Sequence, residues 1–317
     1  MNGMSSIFSD KQINCLIIGG RHPEKTPALK VSAILLNSGN SHLRYKNLET
    51  LTQRGFEKII SIENDSKNYN IEDFAQKFPH VKFIIPLEKA ADGDLVNLAA
   101  SEISSEHFII LRDSLNFSQS VLSPALAERL CAQKLFCVAP RIFSRAAQAY
   151  PTRFAPSAKK SVLKLDSSSQ IFDGASTLYP FDFLGFYDTQ KFKDLGGYDG
   201  AIENSYWQNL DLSFRAWLWG ERIALSTAFS LSYVEEIPAQ DSTPDLHSLR
   251  FYLKNMAPVY KNERAEIPAG IFWGYKARSS CGLFESLRQF SEARAWVRKN
   301  RCRFKMDAFT LISEWGH

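Results

Sequence analysis

Short apolar runs and amphipathic stretches alternate through the first half of the chain. The apolar runs predict β-strands at residues 14–18, 31–36, 58–62, 81–86, 108–111 and 135–138. Three of the stretches between them have the periodicity of helices, at residues 44–54, 71–78 and 95–104. Because strands that alternate with helices form sheets covered on both faces, the pattern predicts an α/β fold with a mostly parallel sheet.

A double-glycine turn followed by a helix marks the second half of the chain, within residues 184–220. Gly196 and Gly197 allow positive φ and close backbone approach. The segment from Tyr206 onward opens a helix that ends at Gly220, and aromatic residues cluster around its start. The pattern places the polar residues 208, 209 and 211 in the first turns of that helix.

Composition removes several function classes. The 317 residues are 44% hydrophobic, which is ordinary for a globular protein, and no run reaches the roughly 18 apolar residues of a membrane span. The five cysteines and six histidines show no metal-binding or disulfide spacing, so we expect reduced thiols. Residues 1–12 lack a basic region followed by an apolar run, so the expected location is cytoplasmic. No predicted strand is followed by the glycine-rich fingerprint of a dinucleotide-binding domain or a P-loop ATPase.

Positive charge is concentrated at the C-terminal end. Residues 250–317 contain 13 Lys and Arg against 6 Asp and Glu, a net charge of +7, while the whole chain carries +4. Residues 283–299 have the apolar periodicity of an amphipathic helix. Such a helix either packs its apolar stripe on the main domain or makes a peripheral contact with the inner face of the membrane. Nucleic acid binding is not expected, because no known motif accompanies the basic residues.

The turn and helix of residues 196–220 resemble the acceptor-site signature of family 2 glycosyltransferases. That signature is a GG-[FY]-D turn, a helix with an acidic pair, then D-L, R and a terminal G. The matching positions are Gly196, Gly197, Tyr198, Asp199, Asp211, Leu212, Arg215 and Gly220. Gln208 and Asn209 replace the acidic pair. The resemblance implies a GT-A-like α/β fold over residues 1–245, with a mostly parallel mixed sheet flanked by helices, and a basic helical extension over residues 246–317.

Earlier segments resemble, in order, the nucleotide-sugar half of the GT-A fold. Residues 31–40 resemble its opening strand and loop, and residues 58–66 resemble its second strand, which in the family ends in an acid that recognises the nucleobase. Residues 92–97 resemble the loop and helix beside the nucleotide, and residues 108–117 resemble the strand with the metal-binding acids. The resemblance implies nucleotide-binding roles for Asn37, Glu63, Asp65, Asp92, Gly93, Arg112 and Asp113.

Asp113 is the single strong candidate for a metal ligand, because its neighbours are Arg112 and Ser114 rather than a second acid. Mn²⁺ or Mg²⁺ neutralises the charge that develops on a nucleoside diphosphate leaving group, and usually only one or two protein carboxylates hold it. Arg112 can also offset phosphate charge directly. Glu235 and Glu236 stand where some relatives provide a late ligand, although a solvated loop explains them nearly as well.

An inverting transfer needs a general base, and the family places it at the position of Asn209, which cannot accept a proton. Asp211 lies two residues further on, so on a helix it points about 200° away. The alternative role of Asp211 is to satisfy free backbone N–H groups at the helix start. Asp199 and Glu203, in the preceding loop, are the other candidate bases.

Aromatic residues near the start of the helix can stack on the apolar faces of sugar rings, although most buried aromatic residues serve to fill core volume. The resemblance implies acceptor-binding roles for Gly196, Gly197, Tyr206, Trp207 and Asn209.

The resemblance predicts an enzyme that transfers a sugar from a UDP- or GDP-linked donor to a glycan, lipid or protein acceptor. The departures from the family pattern at positions 113–115 and 208–209 leave a second hypothesis, a binding or scaffold protein that has lost catalysis. A nucleotidyltransferase is the third hypothesis, although residues 36–47 lack the density of Gly, Arg and Lys that this class has after its first strand.

Overall fold

The computed structural model describes residues 2–5, 12–21, 27–37, 43–63, 71–117, 121–159 and 162–316. Within these residues, nine strands form one sheet and four more form two small antiparallel pairs. The strands are β1 (Asn2–Ser5), β2 (Gln12–Gly19), β3 (Leu29–Asn37), β4 (Phe56–Glu63), β5 (Val81–Pro86), β6 (His107–Arg112), β7 (Cys137–Phe143), β8 (Arg153–Lys159), β9 (Val162–Ser168), β10 (Gly185–Asp188), β11 (Ile223–Ser232), β12 (Val259–Lys261) and β13 (Arg264–Glu266). The α-helices are α1 (Arg44–Arg54), α2 (Ile71–Lys77), α3 (Asp92–Ser101), α4 (Pro124–Cys131), α5 (Thr189–Leu195), α6 (Ser205–Leu218), α7 (Leu246–Phe251), α8 (Ile271–Arg278), α9 (Leu283–Asn300) and α10 (Ala308–Ser313).

The large sheet has the strand order β1-β2-β5-β4-β3-β6-β10-β7-β11. Among its described strands, seven run in one direction, and β2 and β10 run against them. Strands β5, β4, β3 and β6 are parallel neighbours, so their carboxyl ends meet at one edge. Open α/β sheets bind their ligands at that edge.

Two hydrophobic cores lie on opposite faces of this sheet, and β3 contributes to both. Ala33 and Leu35 belong to one core, and Ile34 and Leu36 belong to the other. Because successive side chains of a strand point to opposite faces, a strand that is apolar at every position is covered on both sides. The six strands predicted from apolar runs each overlap one of β2 to β7, and the predicted α/β fold is confirmed.

The C-terminal region from α7 onward packs against α6. The rings of Phe251 and Phe214 lie 5.6 Å apart, and Trp296 of α9 stacks on Trp219 at 6.0 Å. Phe251 and Phe214 belong to the same hydrophobic core as one face of the large sheet. The domain boundary predicted at residue 245 therefore stays a prediction.

Helix α9 is buried along one side but not at its first turn. Phe290 and Val297 are buried, while Leu283, Phe284 and Leu287 are 47%, 87% and 45% exposed. The apolar stripe of this helix thus packs on the protein in the later turns only. Among the described residues, no helix is long and apolar enough to cross a bilayer.

Candidate functional site

Backbone hydrogen bonds join the segments that follow β6 and β11. The amide of Val234 donates to the carbonyl of Ser114 at 3.0 Å, and adjacent backbone groups of the two segments pair in the same way. This pairing holds Asp113, which follows β6 directly, near the loop that carries Glu235 and Glu236. Acids from distant parts of the sequence therefore meet at the carboxyl edge of the sheet.

A cavity of about 620 Å³ lies at this edge, between the end of β6, the start of α6 and the loop after β11. Among the described residues, one basic side chain lines it, that of Arg112. Its acidic lining residues are Asp92, Asp113, Asp182, Glu203, Glu235, Glu236 and Asp241. Because like charges repel strongly in a partly desolvated site, an anionic ligand needs accompanying cations to bind in this acidic cavity.

Arg112 is held between two of these carboxylates. Its guanidinium donates to Asp182 at 2.7 and 3.0 Å and to Asp92 at 2.8 Å. Burial alone would lower the pKa of Arg112 and raise that of Asp92, but their mutual attraction reverses both shifts. Burial raises the pKa of Asp182, yet its two oxygens accept hydrogen bonds from Arg112 and from the Tyr233 hydroxyl, as a carboxylate does. With both carboxylates ionised, the two acids and one arginine carry one net negative charge.

Asp182 was not among the residues that the sequence analysis selected. It lies in a short 3-10 turn, Phe181–Phe183, with left-handed φ and ψ of 50° and 36°. The sequence does contain a signal for Asp182, since an acid flanked by two phenylalanines is expected to be buried. A buried carboxylate requires a cationic partner. Since Arg112 is that partner, a role of Arg112 on phosphate would require it to leave a protein carboxylate.

Asp113 is 1% exposed at the wall of the acidic cavity. Its backbone is fixed, because its amide donates to Leu36 at 3.1 Å and Asn47 donates to its carbonyl at 2.8 Å. Within the described parts of the chain, no group of three metal-ligating side chains is preassembled. Carboxylates in this cavity nevertheless fit Mg²⁺ or Mn²⁺, since Mg²⁺ is commonly held by one or two carboxylates together with water and phosphate oxygens.

Glu63, the predicted nucleobase residue, ends β4 beside Asn37 of β3. Its carboxylate lies 2.9 Å from Arg44 and accepts hydrogen bonds from Ser61 at 2.9 Å and Asn37 at 3.2 Å. Burial raises the pKa of Glu63, and the positive charge of Arg44 offsets only part of that rise. The buried Oδ1 of Asn37 has no hydrogen-bond partner in the part of the chain that the structure describes, so its capacity to accept a hydrogen bond is unused. Asp65 lies outside the described residues.

Gly93 and Asn97 fasten α3 to α6 and to the turn before it. The Gly93 amide donates to Oε1 of Gln208 at 2.9 Å, and a Cβ at Gly93 would lie 2.4 Å from that oxygen. Asn97 exchanges hydrogen bonds of 2.8 and 2.9 Å with the backbone of Tyr198. Gln208 also donates to Asp94 at 3.1 Å. Because a glutamate cannot donate that bond, the glutamine matches its surroundings.

Of the three predicted bases, only Glu203 lines the acidic cavity, where it is exposed in the loop before α6. Asp211 is 0% exposed. Its carboxylate accepts hydrogen bonds from Arg215 at 2.9 Å, Lys254 at 2.9 Å and Asn255 at 2.7 Å. In this arrangement Asp211 cannot reach an acceptor hydroxyl in the cavity.

Asp199 lies in the same buried charge network as Asp211. Its carboxylate binds Arg250 at 2.8 Å and Lys254 at 2.8 Å. Burial would raise the pKa of Asp199, but the charges of Lys254 and Arg250 lower it far below its ordinary value. Asp199 does not line the acidic cavity, and its carboxylate is a poor proton acceptor.

Gly196 and Gly197 end helix α5 with left-handed φ values of 82° and 62°. Gly196 donates to the carbonyl of Lys193, and Arg215 donates to the carbonyl of Gly197. Both glycines line a second cavity rather than the acidic one. The double-glycine turn therefore positions α6 relative to α5, and its predicted contact with an acceptor stays a prediction.

Tyr206 and Asn209 line the acidic cavity, whereas Trp207 does not. Burial raises the pKa of Tyr206 to about 12, so its hydroxyl stays protonated. Asn209 donates to the carbonyl of Pro180 at 2.7 Å, and its Oδ1 has no partner among the described residues. Trp207 packs instead against Phe251, at 5.6 Å between ring centroids.

Known proteins resemble this chain in structure but not in sequence. No protein-family model and no curated protein matches it. The crystal structure of GalNAc-T7 with UDP, GalNAc and Mn²⁺ superposes with a TM-score of 0.56 at 12% identity, covering 90% of this chain and 57% of that one. The mannosyltransferase PcManGT from Pyrobaculum calidifontis, solved with GDP-Man and Mn²⁺, has a TM-score of 0.42 at 11% identity, over 88% and 72% of the two chains. The chain thus spans less than two thirds of GalNAc-T7, and the predicted GT-A-like fold is confirmed.

Proposed function

We propose that this protein transfers a sugar from a UDP- or GDP-linked donor to a glycan, lipid or protein acceptor in the acidic cavity. The observation that supports the proposal most strongly is the meeting of Asp113, Glu235, Glu236 and Glu203 around one cavity at the carboxyl edge of a GT-A-like sheet. These acids come from three separate segments of the chain. Asp113, Glu235 and Glu236 can hold a cation, and Glu203 can accept a proton.

The donor diphosphate is proposed to bind near Asp113, with Asp92 and Arg112 beside it. Asp113 and one of Glu235 and Glu236 would hold Mn²⁺ or Mg²⁺, which neutralises the charge on the leaving diphosphate when it is bound. Among the described residues, seven acids and one arginine line the cavity and would repel an unaccompanied diphosphate, so donor binding should depend on the cation. Glu63 and Asn37 lie at the ends of adjacent parallel strands and remain the proposed contacts of the nucleobase.

The acceptor is proposed to enter between Glu203, Tyr206 and Asn209. Glu203 takes the proton from the acceptor hydroxyl as that oxygen attacks the anomeric carbon of the donor sugar. The free Oδ1 of Asn209 and the protonated hydroxyl of Tyr206 offer one acceptor and one donor that can orient a sugar. Asp199 and Asp211 have a different role, since their carboxylates stabilise the packing of the C-terminal region on α6.

Peripheral membrane contact is proposed to run through the first turn of α9. Leu283, Phe284 and Leu287 expose a contiguous apolar ridge there, while Arg288 is paired with Glu285 and Glu292. The contact therefore depends more on apolar insertion than on local charge. In cosedimentation with anionic vesicles, Phe284→Ser combined with Leu287→Ser should lower the bound fraction. The exposed Phe172→Ser serves as the control.

A turnover assay with UDP- and GDP-linked sugars tests the proposed reaction. With Mn²⁺ present, wild-type protein should release the nucleoside diphosphate by transfer to an acceptor or by slow hydrolysis. A protein that binds nucleoside diphosphates without turnover on any donor is the binding protein of the second hypothesis. Release of pyrophosphate from a nucleoside triphosphate and a sugar phosphate would instead identify a nucleotidyltransferase.

A further inference from the structure

A second cavity, of about 690 Å³, lies between the double-glycine turn and the last turns of α9. Of the residues that the structure describes, two acids line it, Asp194 and Asp199, and six basic residues do: Lys193, Arg215, Arg250, Lys254, Lys299 and Arg303. We refer to this cavity as the basic groove. Its charge is opposite in sign to that of the acidic cavity.

The carboxylates at the basic groove are already engaged by part of its cations. Asp199 binds Arg250 and Lys254, and the buried Asp211 behind the groove binds Arg215 and Lys254. Glu292 approaches Arg250 only to 4.0 Å. Among the described residues, these six cations therefore face four carboxylates, those of Asp194, Asp199, Asp211 and Glu292.

Several donors at the groove have no anionic partner. Among the described residues, the Lys299 ammonium forms no hydrogen bond or ion pair, and the Arg303 guanidinium donates only to the backbone carbonyl of Asp194. Lys193 donates to the carbonyl of Ile103 at 3.5 Å. Arg215 is 3% exposed, and its buried Nε has no hydrogen-bond partner in the described chain.

Local backbone geometry and aromatic packing fix these cations in place. Lys254 lies in a π-helical turn, Tyr252–Met256, which is a type of helix irregularity that occurs frequently at functional sites. Its Nζ lies 4.5 Å from the ring centroid of Trp296, and the Arg303 guanidinium lies 5.0 Å from that of Trp219. Because both rings are covered by cations, the groove offers charge rather than open aromatic faces to a ligand.

From these contacts we infer that the basic groove is a binding site for a phosphate group. Lys299 and Arg303 donate to the phosphate oxygens, and the excess positive charge of the Arg215, Arg250 and Lys254 network favours the anion. The site is separate from the acidic cavity, because Asn209 and Arg215 stand about 9 Å apart along the α6 axis. Phosphate would bind in this groove whether or not the protein transfers sugars.

Calorimetric titration of the full chain with inorganic phosphate, in EDTA and at low salt, tests the site. The absence of divalent cations keeps phosphate out of the acidic cavity. Wild type should bind phosphate, and the double variant Lys299→Ala, Arg303→Ala should bind it at least tenfold more weakly, since it loses two cations that donate charge-assisted hydrogen bonds to the anion. Arg298→Ala is the matched control, because this exposed cation precedes Lys299 on α9 but does not line the groove.

Equal phosphate affinity of wild type and the double variant would overturn the inference, as would no binding by wild type at millimolar phosphate. Thermal unfolding of each variant shows whether the fold is kept, and Lys299→Ala alone provides a milder substitution if it is not. Titrations with a sugar phosphate and with phosphatidic acid vesicles then separate a soluble phosphate ester from a lipid headgroup. Tighter binding of either one than of inorganic phosphate identifies the source of the phosphate.

Discussion

Asp211 and Lys254 form a salt bridge of 2.9 Å between helix α6 and the π-helical turn that follows α7, with side-chain exposures of 0% and 2%. The bridge joins the helix of the acceptor-site signature to the C-terminal region. A charge in such a position is stable only while its partner is present. The contacts of Asp211 therefore account for a buried acid in the D-L pair by packing alone.

Replacing Asp211 by Asn should destabilise the protein. Lys254 and Arg215 would each lose a buried carboxylate, and breaking a buried pair costs about 3–5 kcal/mol. Urea unfolding measures the loss, with the exposed Asp73→Asn as the control. An Asp211→Asn protein with unchanged unfolding free energy and a large loss of turnover would instead indicate a catalytic role.

The contribution of Asp199 should depend on pH. Its pKa is lowered in the folded protein, so its ion pairs stabilise the fold fully above the ordinary aspartate pKa of about 3.9 and lose that effect as the pH falls below it. The difference in unfolding free energy between wild type and Asp199→Asn should thus be constant from pH 7 to 5 and shrink below about pH 4. Chemical denaturation at several pH values checks this. A difference that stays the same down to pH 3 would contradict the assignment.

An acid at position 208, as in the family 2 signature, should weaken the fold. In Gln208→Glu a carboxylate oxygen would replace the amide that donates to Asp94, at a cost of about 1–3 kcal/mol or more. Gln190→Glu is a matched control, because Gln190 donates to Asp194 at 3.0 Å on the exposed surface of α5. That change should cost under about 0.5 kcal/mol. Equal losses of unfolding free energy in Gln208→Glu and Gln190→Glu would contradict the expected contribution of the buried hydrogen bond to Asp94.

Loss of the proposed base should lower turnover without affecting donor binding. Glu203→Gln keeps the shape of the side chain and removes its ability to take a proton, so turnover should fall by about 10² to 10⁴. The exposed Glu128→Gln, on α4, should leave turnover unchanged. Full turnover in Glu203→Gln, with the donor bound normally, would remove Glu203 from the mechanism.

The sequence predicted the sheet because strands buried on both faces are apolar at nearly every position, as β3 is. It also predicted that Asp113 and Glu203 belong to a site. It could not separate Glu203 from Asp199, because neighbouring loop residues differ only in the direction of their side chains. Lys254, the partner of both Asp199 and Asp211, lies 43 residues from Asp211, so no local pattern connects them.

Asp182, whose backbone is in the left-handed region, could not be identified from the sequence for a related reason. Its neighbours are aromatic and predict a strand, while its conformation is fixed by bonds to Arg112 and Tyr233 from distant segments. Long-range ion pairs of this kind determine which acids stay free for chemistry. That is why the fold could be predicted more fully than the site.

Calorimetric titration with UDP and GDP, with and without Mn²⁺, tests the central claim that the acidic cavity binds a nucleoside diphosphate together with a cation. We expect binding with Mn²⁺ that weakens at least about tenfold in EDTA, a difference of roughly 1.4 kcal/mol or more. The double variant Glu235→Gln, Glu236→Gln should reduce this dependence on Mn²⁺, while Glu128→Gln should keep it. No binding of either nucleotide at millimolar concentration with Mn²⁺ present, or equal binding with and without the cation, would contradict the account.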